Sequence, residues 1–332
     1  MPPSSCRNSA LNVLDSLSTK SFIQWFSGID HFLFDCDGVI WNGERGLIPG
    51  AKELLIQLRR HGRSFSFMTN SASATRRGYA SKFRRLLGNG SISFEPPITE
   101  DDIMCTAFAT ALRLQRTIGV QSPYAKDVYV IGTAGLVEEI ENAGFVAHGL
   151  EDSASKPGGK WTGTLSSADM LPPKRVGAVV VGIDRDVSYT KMTKAVIYLR
   201  RDPTCKFFAT NRDIVVPIND QLCSSNGMVV AGVAFSAGRE VDEVVGKPST
   251  TMIDLLDETM GLDRQRTLMV GDNLDTDILF GIAGGTQTLL VLSGVSTEKE
   301  ARAREPPEQP GAIADSVGVI AQRLKEIDAK IK

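Results

Sequence analysis

The sequence predicts an α/β protein: a Rossmann-like, doubly wound parallel sheet split in the chain by a second α/β unit. Three observations predict it. Short apolar runs stop abruptly at polar residues, as buried parallel strands do at their carboxyl ends. Helix-like stretches stand between those runs, giving the alternation of a doubly wound sheet. The pattern of the first hundred residues then resumes near the C-terminus, after a long interruption.

In chain order, the first 25 residues are Ser-rich and read as a flexible tip leading into a short helix. HFLFD at His31–Asp35 is the first strand, stopped by DCDG. The segment PGAKELLIQLRRHG from Pro49 opens with proline and closes with glycine, which predicts a helix. Phe65–Met68 is the next strand, ending in Thr69, Asn70 and Ser71, and Thr75–Leu87 the next helix. Gly88–Pro97, rich in Gly, Ser and Pro, reads as a linker. Beyond it, Val128–Ile131, Ala178–Ile183 and Phe207–Ala209 are strand-like, while Leu136–Ala143 and Thr190–Arg200 are helix-like. From about residue 238 the first pattern returns: helix near Thr250–Thr259, strand Thr267–Val270, helix near Thr276–Ala283, strand Thr288–Leu292. The expected domains are therefore 26–97 with 238–332, and an inserted 98–237.

Composition excludes several functions. With 332 residues, 42% apolar and 23% charged, the chain can bury two cores and is not compositionally disordered. A formal charge of −2 gives no bulk attraction to nucleic acid or anionic membranes. No stretch approaches the roughly 20 apolar residues of a membrane span. Five scattered cysteines without a CxxC pair suggest neither disulfides nor zinc, and a reducing, cytoplasmic setting fits. The Ser-rich N-terminus, with one acidic residue, weakly resembles an organelle transit peptide but lacks its Arg density, so organelle import stands as a weak alternative to the cytoplasm. Only three histidines are present, none in a hydrolytic motif, so the chemistry must come from carboxylates. GTAG at 132–135 reads as a strand-to-helix turn, because it lacks the full GxGxxG phosphate fingerprint.

The carboxylates cluster at strand ends. Asp35 and Asp37 are two residues apart in an extended segment, which points both side chains the same way. Their repulsion is relieved by a hard divalent cation shared with phosphate oxygens, and Mg²⁺ suits few carboxylates plus a substrate phosphate. GDNLDTD, with Asp272, Asp275 and Asp277, comes after another strand, and Asp272 is the best third ligand. Thr69 and Asn70 offer a hydroxyl, an amide and backbone N–H groups to phosphate. Lys247, in GKPS, offers the positive charge that phosphoryl transfer requires.

The runs DCDGVIW (35–41), FATNRD (208–213), VVGKPST (244–250) and MVGDNLDTDILFG (269–281) resemble the haloacid dehalogenase (HAD) superfamily. Within it they are similar to the branch of phosphoglycolate phosphatases and 4-nitrophenylphosphatases, from about residue 28 to 325. The resemblance implies a HAD core with an inserted C2-type cap and a small phosphorylated metabolite as substrate. It also implies Asp35 as nucleophile and Asp37 as general acid, then base. Mg²⁺ would be held by Asp35, the Asp37 carbonyl and Asp272, with Asp277 in support. The phosphoryl group would be held by Gly38, Thr69, Asn70, Ser71 and Lys247. Thr210, Asn211, Arg212 and Asp213 of the cap would set specificity, and the cap would serve homodimer formation. Many relatives read TNN where this chain has Thr69, Asn70 and Ser71, but serine still donates a hydrogen bond.

Other readings share parts of this pattern. The same branch includes pyridoxal phosphate and phosphoprotein phosphatases, which would have the same core. A phospho-receiver domain also groups aspartates with Thr and Lys around Mg²⁺, but is much shorter and uncapped. A nucleotide-binding module would rest on the α/β pattern and GTAG alone, without GxGxxG or GxxxxGKS.

Overall fold

In chain order the strands are β1 (Asn12–Val13), β2 (His31–Phe34), β3 (Ser64–Thr69), β4 (Ile103–Cys105), β5 (Asp127–Ile131), β6 (Val146–His148) and β7 (Ala178–Val181). They continue with β8 (Lys206–Ala209), β9 (Val215–Ile218), β10 (Gln221–Ser224), β11 (Glu243–Val244), β12 (Thr267–Gly271), β13 (Gln287–Val291) and β14 (Ala312–Ala314). The computed structural model describes residues 12–43, 46–88, 94–118, 126–152, 175–218 and 221–331. The tip at 1–11, the middle of the expected linker and nearly all of 151–160 lie outside the described residues.

The chain divides into two compact units, Met1–Phe67 with Gly261–Lys332, and Met68–Met260. In the first, strands follow the order β1-β14-β13-β12-β2-β3, and each of these pairs is parallel. Phe32, Leu33 and Phe34 of β2 are wholly buried, as expected of a strand covered on both faces. The Phe26, Phe32 and Phe34 rings form a row along one side, with centroids about 6 Å apart. At the amino ends of β2, β3 and β12, Asp30 binds Arg63 Nη1 (2.6 Å) and Arg266 Nη2 (2.8 Å). The Arg266 guanidinium holds the Asp30 carboxyl below its ordinary pKa. This end is tied by charge, which leaves the carboxyl ends for chemistry.

The second unit carries a parallel five-stranded sheet, β11-β8-β7-β5-β6, and the antiparallel hairpin β9–β10. Its core joins Tyr129, Val179, Phe207 and Val233 from strands and helices. Lys191 and Asp184 are both buried and pair at 2.5 Å. In GTAG, Thr133 precedes the helix Ala134–Asn142 and its hydroxyl donates to Ala72 O (2.9 Å), so the segment is a strand-to-helix turn.

The expected helices are found at Ala51–Arg60, Arg76–Leu87, Ala134–Asn142, Tyr189–Arg201 and Thr251–Met260. Two places differ from expectation. Within the N-terminal segment, Asn12–Val13 forms β1 and pairs with β14, ahead of the expected short helix, Thr19–Ser27, which Ser18 caps. The helix expected from Thr276 begins instead as a wide π-turn, Leu274–Ile278, before the α-helix Leu279–Ala283. That departure shapes the site.

Candidate active site

β2 delivers the first carboxylate. Asp35 extends the ladder, its N–H donating to Val270 O of β12 (2.9 Å), and it is buried. β12 delivers the second, Asp272, directly after Gly271. The π-turn delivers the third. By widening the first turn it lets Asp277 fold back, so that its Oδ2 accepts from the N–H groups of both Asp272 and Asn273 (3.1 Å each). Such single wide turns occur often at functional sites.

One oxygen from each of Asp35, Asp272 and Asp277 lies within 4.8 Å of the others, and all three residues are buried. Three buried carboxylates this close repel one another unless a cation or protons intervene. An all-oxygen, anionic donor set fits a hard divalent cation such as Mg²⁺ and not a soft metal.

Asp272 is held by a loop for which no role was expected. Val295 N–H donates to its Oδ2 (2.8 Å), Ser296 N–H to its carbonyl (2.9 Å), and Ser296 Oγ accepts from Leu274 N–H (3.0 Å). The same loop reaches the segment after β2, where Ser293 Oγ donates to Gly38 O (2.7 Å). Two glycines make room for the carboxylate. A Cβ on Gly38, whose φ is +81°, would lie 2.4 Å from Asp272 Oδ2, and one on Gly294 would lie 1.8 Å from it. The signal was legible: Ser293 and Gly294 stop an apolar strand as Asp272 and Asn273 do.

Asp37 is exposed and stands outside the triad. Its Oδ1 accepts from the indole N–H of Trp41 (2.8 Å), a wholly buried residue. The N–H of Gly38 donates to Trp41 O (2.8 Å), so a tight loop sets both. Trp41 closes the DCDGVIW run, yet no role was expected for it.

In the second unit Thr69 and Ser71 form one hydrogen-bonded pair, and Asn70, Lys247, Asn211 and Asp213 form a second group beside it. Thr69 is buried and its hydroxyl accepts from Ser71 N–H (3.1 Å), while Ser71 Oγ pairs with Ser73 Oγ (2.8 Å). Asn70 Oδ1 accepts Lys247 N–H (2.8 Å), and its amide donates to Lys247 O (3.1 Å) and Asp213 Oδ1 (3.0 Å). Lys247 is buried, and its ammonium donates to Met68 O (3.1 Å). Asn211 donates to Asn70 O (2.7 Å) and accepts from Asp213 N–H (3.1 Å). Thr210 is wholly buried, whereas Arg212 is exposed and faces Glu240 (3.2 Å). Asn226, which no sequence signal marked, sits beneath this loop, donating to Asn211 O (2.9 Å) and Val181 O (3.2 Å).

Residues 32–146 match the family model of haloacid dehalogenase-like hydrolases, and 244–320 match a HAD-hydrolase-like model. The chain is similar to phosphoglycolate phosphatase 2 of Arabidopsis thaliana, 41% identical over 310 residues that cover 93% of this chain and 98% of that protein. Among solved structures it is similar to a 4-nitrophenylphosphatase from Thermotoga maritima (TM-score 0.72, 26% identity, 90% of this chain and 98% of that one). It is also similar to a glycerol phosphate phosphatase from Mycobacterium tuberculosis in complex with magnesium (TM-score 0.71, 26% identity, 90% and 78% covered). Similarity of this breadth decides the family: the chain belongs to the haloacid dehalogenase-like hydrolases, and its activity is phosphoric monoester hydrolysis.

Proposed function

We propose that this phosphatase acts through an aspartyl-phosphate on Asp35, requires Mg²⁺, and prefers 2-phosphoglycolate. The observation that carries the reading is the buried triad of Asp35, Asp272 and Asp277 at the carboxyl ends of β2 and β12. Mg²⁺ there would supply the positive charge that offsets the triad and the substrate phosphate. It would be held by Asp35, the Asp37 carbonyl and Asp272, with Asp277 bracing the Asp272 backbone.

Asp35 attacks phosphorus, and Asp37 protonates the departing alcohol. Asp37 then takes a proton from the water that releases phosphate, so one carboxyl serves as acid and then base. Gly38, Thr69, Asn70, Ser71 and Lys247 would hold the transferring group, offering backbone N–H groups, hydroxyls and the Lys247 ammonium to its oxygens.

Residues 26–97 and 238–332 form the catalytic core in this reading, and 98–237 the cap. Within the cap loop that holds Thr210, Asn211, Arg212 and Asp213, the exposed Arg212 sets preference among leaving groups, being suited to an anionic one. The cap also carries exposed Leu222, Met228 and Phe235, apolar side chains that support a homodimer through the cap.

The preference for 2-phosphoglycolate leans on the 41% relative, and glycerol phosphate is the second reading because of the magnesium-bound structural neighbour. Measuring kcat/KM for 2-phosphoglycolate, glycerol 3-phosphate, pyridoxal phosphate and a phosphopeptide, with Mg²⁺ and then with excess chelator, tests it. The expected result is highest efficiency on 2-phosphoglycolate and reversible silence in chelator. Higher efficiency on another substrate reassigns the metabolite, and activity that survives chelation removes the metal from the account.

A further inference from the structure

The loop after β8 and the loop after β3 are joined by two links. The Asn70 amide donates to Asp213 Oδ1 (3.0 Å), and the Asn211 amide donates to Asn70 O (2.7 Å). Asn70 in turn clamps the backbone of Lys247 from both sides, accepting its N–H (2.8 Å) and donating to its carbonyl (3.1 Å). The fit is close. A Cβ on Gly246 would lie 2.8 Å from Asn70 Oδ1 and 2.6 Å from Thr210 O, so only glycine lets these segments approach. Asn226 anchors the far side, donating to Asn211 O and Val181 O. Both Asp213 and Asn226 lie outside the two family-model matches, 32–146 and 244–320.

We infer that Asp213 is a positioning residue: acting through Asn70, it holds Lys247 where the transferring phosphoryl group is bound, and it does not read the leaving group. The inference rests on the reading that Lys247 binds that group. Charge supports it. A carboxylate facing an anionic substrate is unfavourable, whereas one that accepts from an amide fixes the amide's orientation. Asn70 has one acceptor and two donor hydrogens, and the carboxylate reinforces the orientation in which the amide meets both backbone groups of Lys247. With the amide reversed, Lys247 N–H would meet an NH₂ group and lose its acceptor.

The inference separates Asp213 from any residue that selects the substrate. A reader of the leaving group affects substrates unequally and leaves inorganic phosphate alone. A residue that positions Lys247 affects every ligand carrying the phosphoryl group by a common factor.

The test uses the full chain with Asp213→Ala, Asp213→Asn, Asn70→Ala, the double variant Asp213→Ala/Asn70→Ala, and Lys247→Ala. The readouts are KM and kcat on 2-phosphoglycolate and 4-nitrophenyl phosphate, the inhibition constant of inorganic phosphate, and Tm. Asp213→Ala is expected to weaken both substrates and inorganic phosphate by one common factor of about tenfold, the scale of a hydrogen bond to a charged group. Asp213→Asn, which keeps an accepting oxygen, should recover most of that loss. In the Asn70→Ala background Asp213→Ala should add less than about twofold, because its effect passes through Asn70.

A loss confined to 2-phosphoglycolate with inorganic phosphate unchanged, or full additivity in the double variant, overturns the inference. Lys247→Ala is the separate control. If it binds inorganic phosphate like the parent chain, the reading of Lys247 falls and the inference with it. A normal loss in Lys247→Ala with additive Asp213 and Asn70 effects sinks the inference alone. If Asp213→Ala melts below the assay temperature, Asp213→Glu replaces it, keeping the charge while moving the oxygens one methylene away.

Discussion

Replacing Gly294 by alanine tests whether the Asp272 carboxylate must stand where the structure puts it. The added Cβ would sit 1.8 Å from Asp272 Oδ2, 2.5 Å from its Cγ and 2.6 Å from its Cβ, against an ordinary contact of 3.4–4 Å. The carboxylate must therefore retreat by roughly 1.5 Å or rotate away, losing its bond from Val295 N–H. Mg²⁺ tolerates little of this, since it demands near-ideal ligand placement. A displacement of about 1 Å at a reacting centre costs on the order of 10²-fold in rate. Gly294 does not occupy the left-handed region, so alanine brings crowding without backbone strain. Overpacking of about 1–3 kcal/mol should lower Tm without unfolding the chain. Calorimetric titration with Mg²⁺, beside kcat/KM on 4-nitrophenyl phosphate, should show loss of metal affinity and of turnover together. A folded Gly294→Ala variant with the parent's Mg²⁺ affinity and rate would refute the reasoning.

Three further outcomes are expected. Trp41→Phe removes the indole N–H that fixes Asp37 while keeping most of the buried ring; kcat should fall about tenfold, with a burst of 4-nitrophenol in rapid mixing because the base step is the slow one. Unchanged kcat without a burst would deny Trp41 that role. Asp277→Asn weakens the brace on the Asp272 and Asn273 N–H groups and removes one charge of the triad, so Mg²⁺ affinity should drop about 10–100-fold by titration calorimetry. Burial pushes His31 down to about 4, against an unfolded value near 6.5. Above pH 6.5 both states are neutral and the group contributes nothing. As pH falls toward 4 only the unfolded chain takes the proton, which should cost about 2 kcal/mol by pH 5. Urea unfolding of the parent and His31→Gln at pH 7 and pH 5 reads this directly, and equal slopes for the two chains would contradict it.

The sheet was legible because its strands are long enough to show their pattern. HFLF and TLMV are uninterrupted apolar runs with polar stops, and β2 and β12 lie where they predict. β1, β4, β6, β11 and β14 have two or three residues each, too few for any period, and they form through pairing with neighbours. The triad was legible for the same reason as the strands: Asp35 and Asp272 each stand where an apolar run stops. Asp277 was assigned a supporting part through the resemblance, but the π-turn that folds it back was not legible, because hydrogen bonds to Asn273 set it and not spacing. Thr69, Asn70 and Lys247 were identified as a group, but the two-sided grip of Asn70 on Lys247 depends on side-chain orientation that no motif encodes. Asn226 carries no signal at all, being one polar residue opening an apolar helix.

The most direct test of the account is to acid-quench the enzyme within a single turnover on 4-nitrophenyl phosphate and map phosphate on the chain by mass spectrometry. The account predicts a hydroxylamine-labile phosphate on Asp35, absent in Asp35→Asn, which should also be inactive. A turning-over enzyme with no phosphate on Asp35 at any quench time, or an Asp35→Asn variant that still turns over, would contradict it.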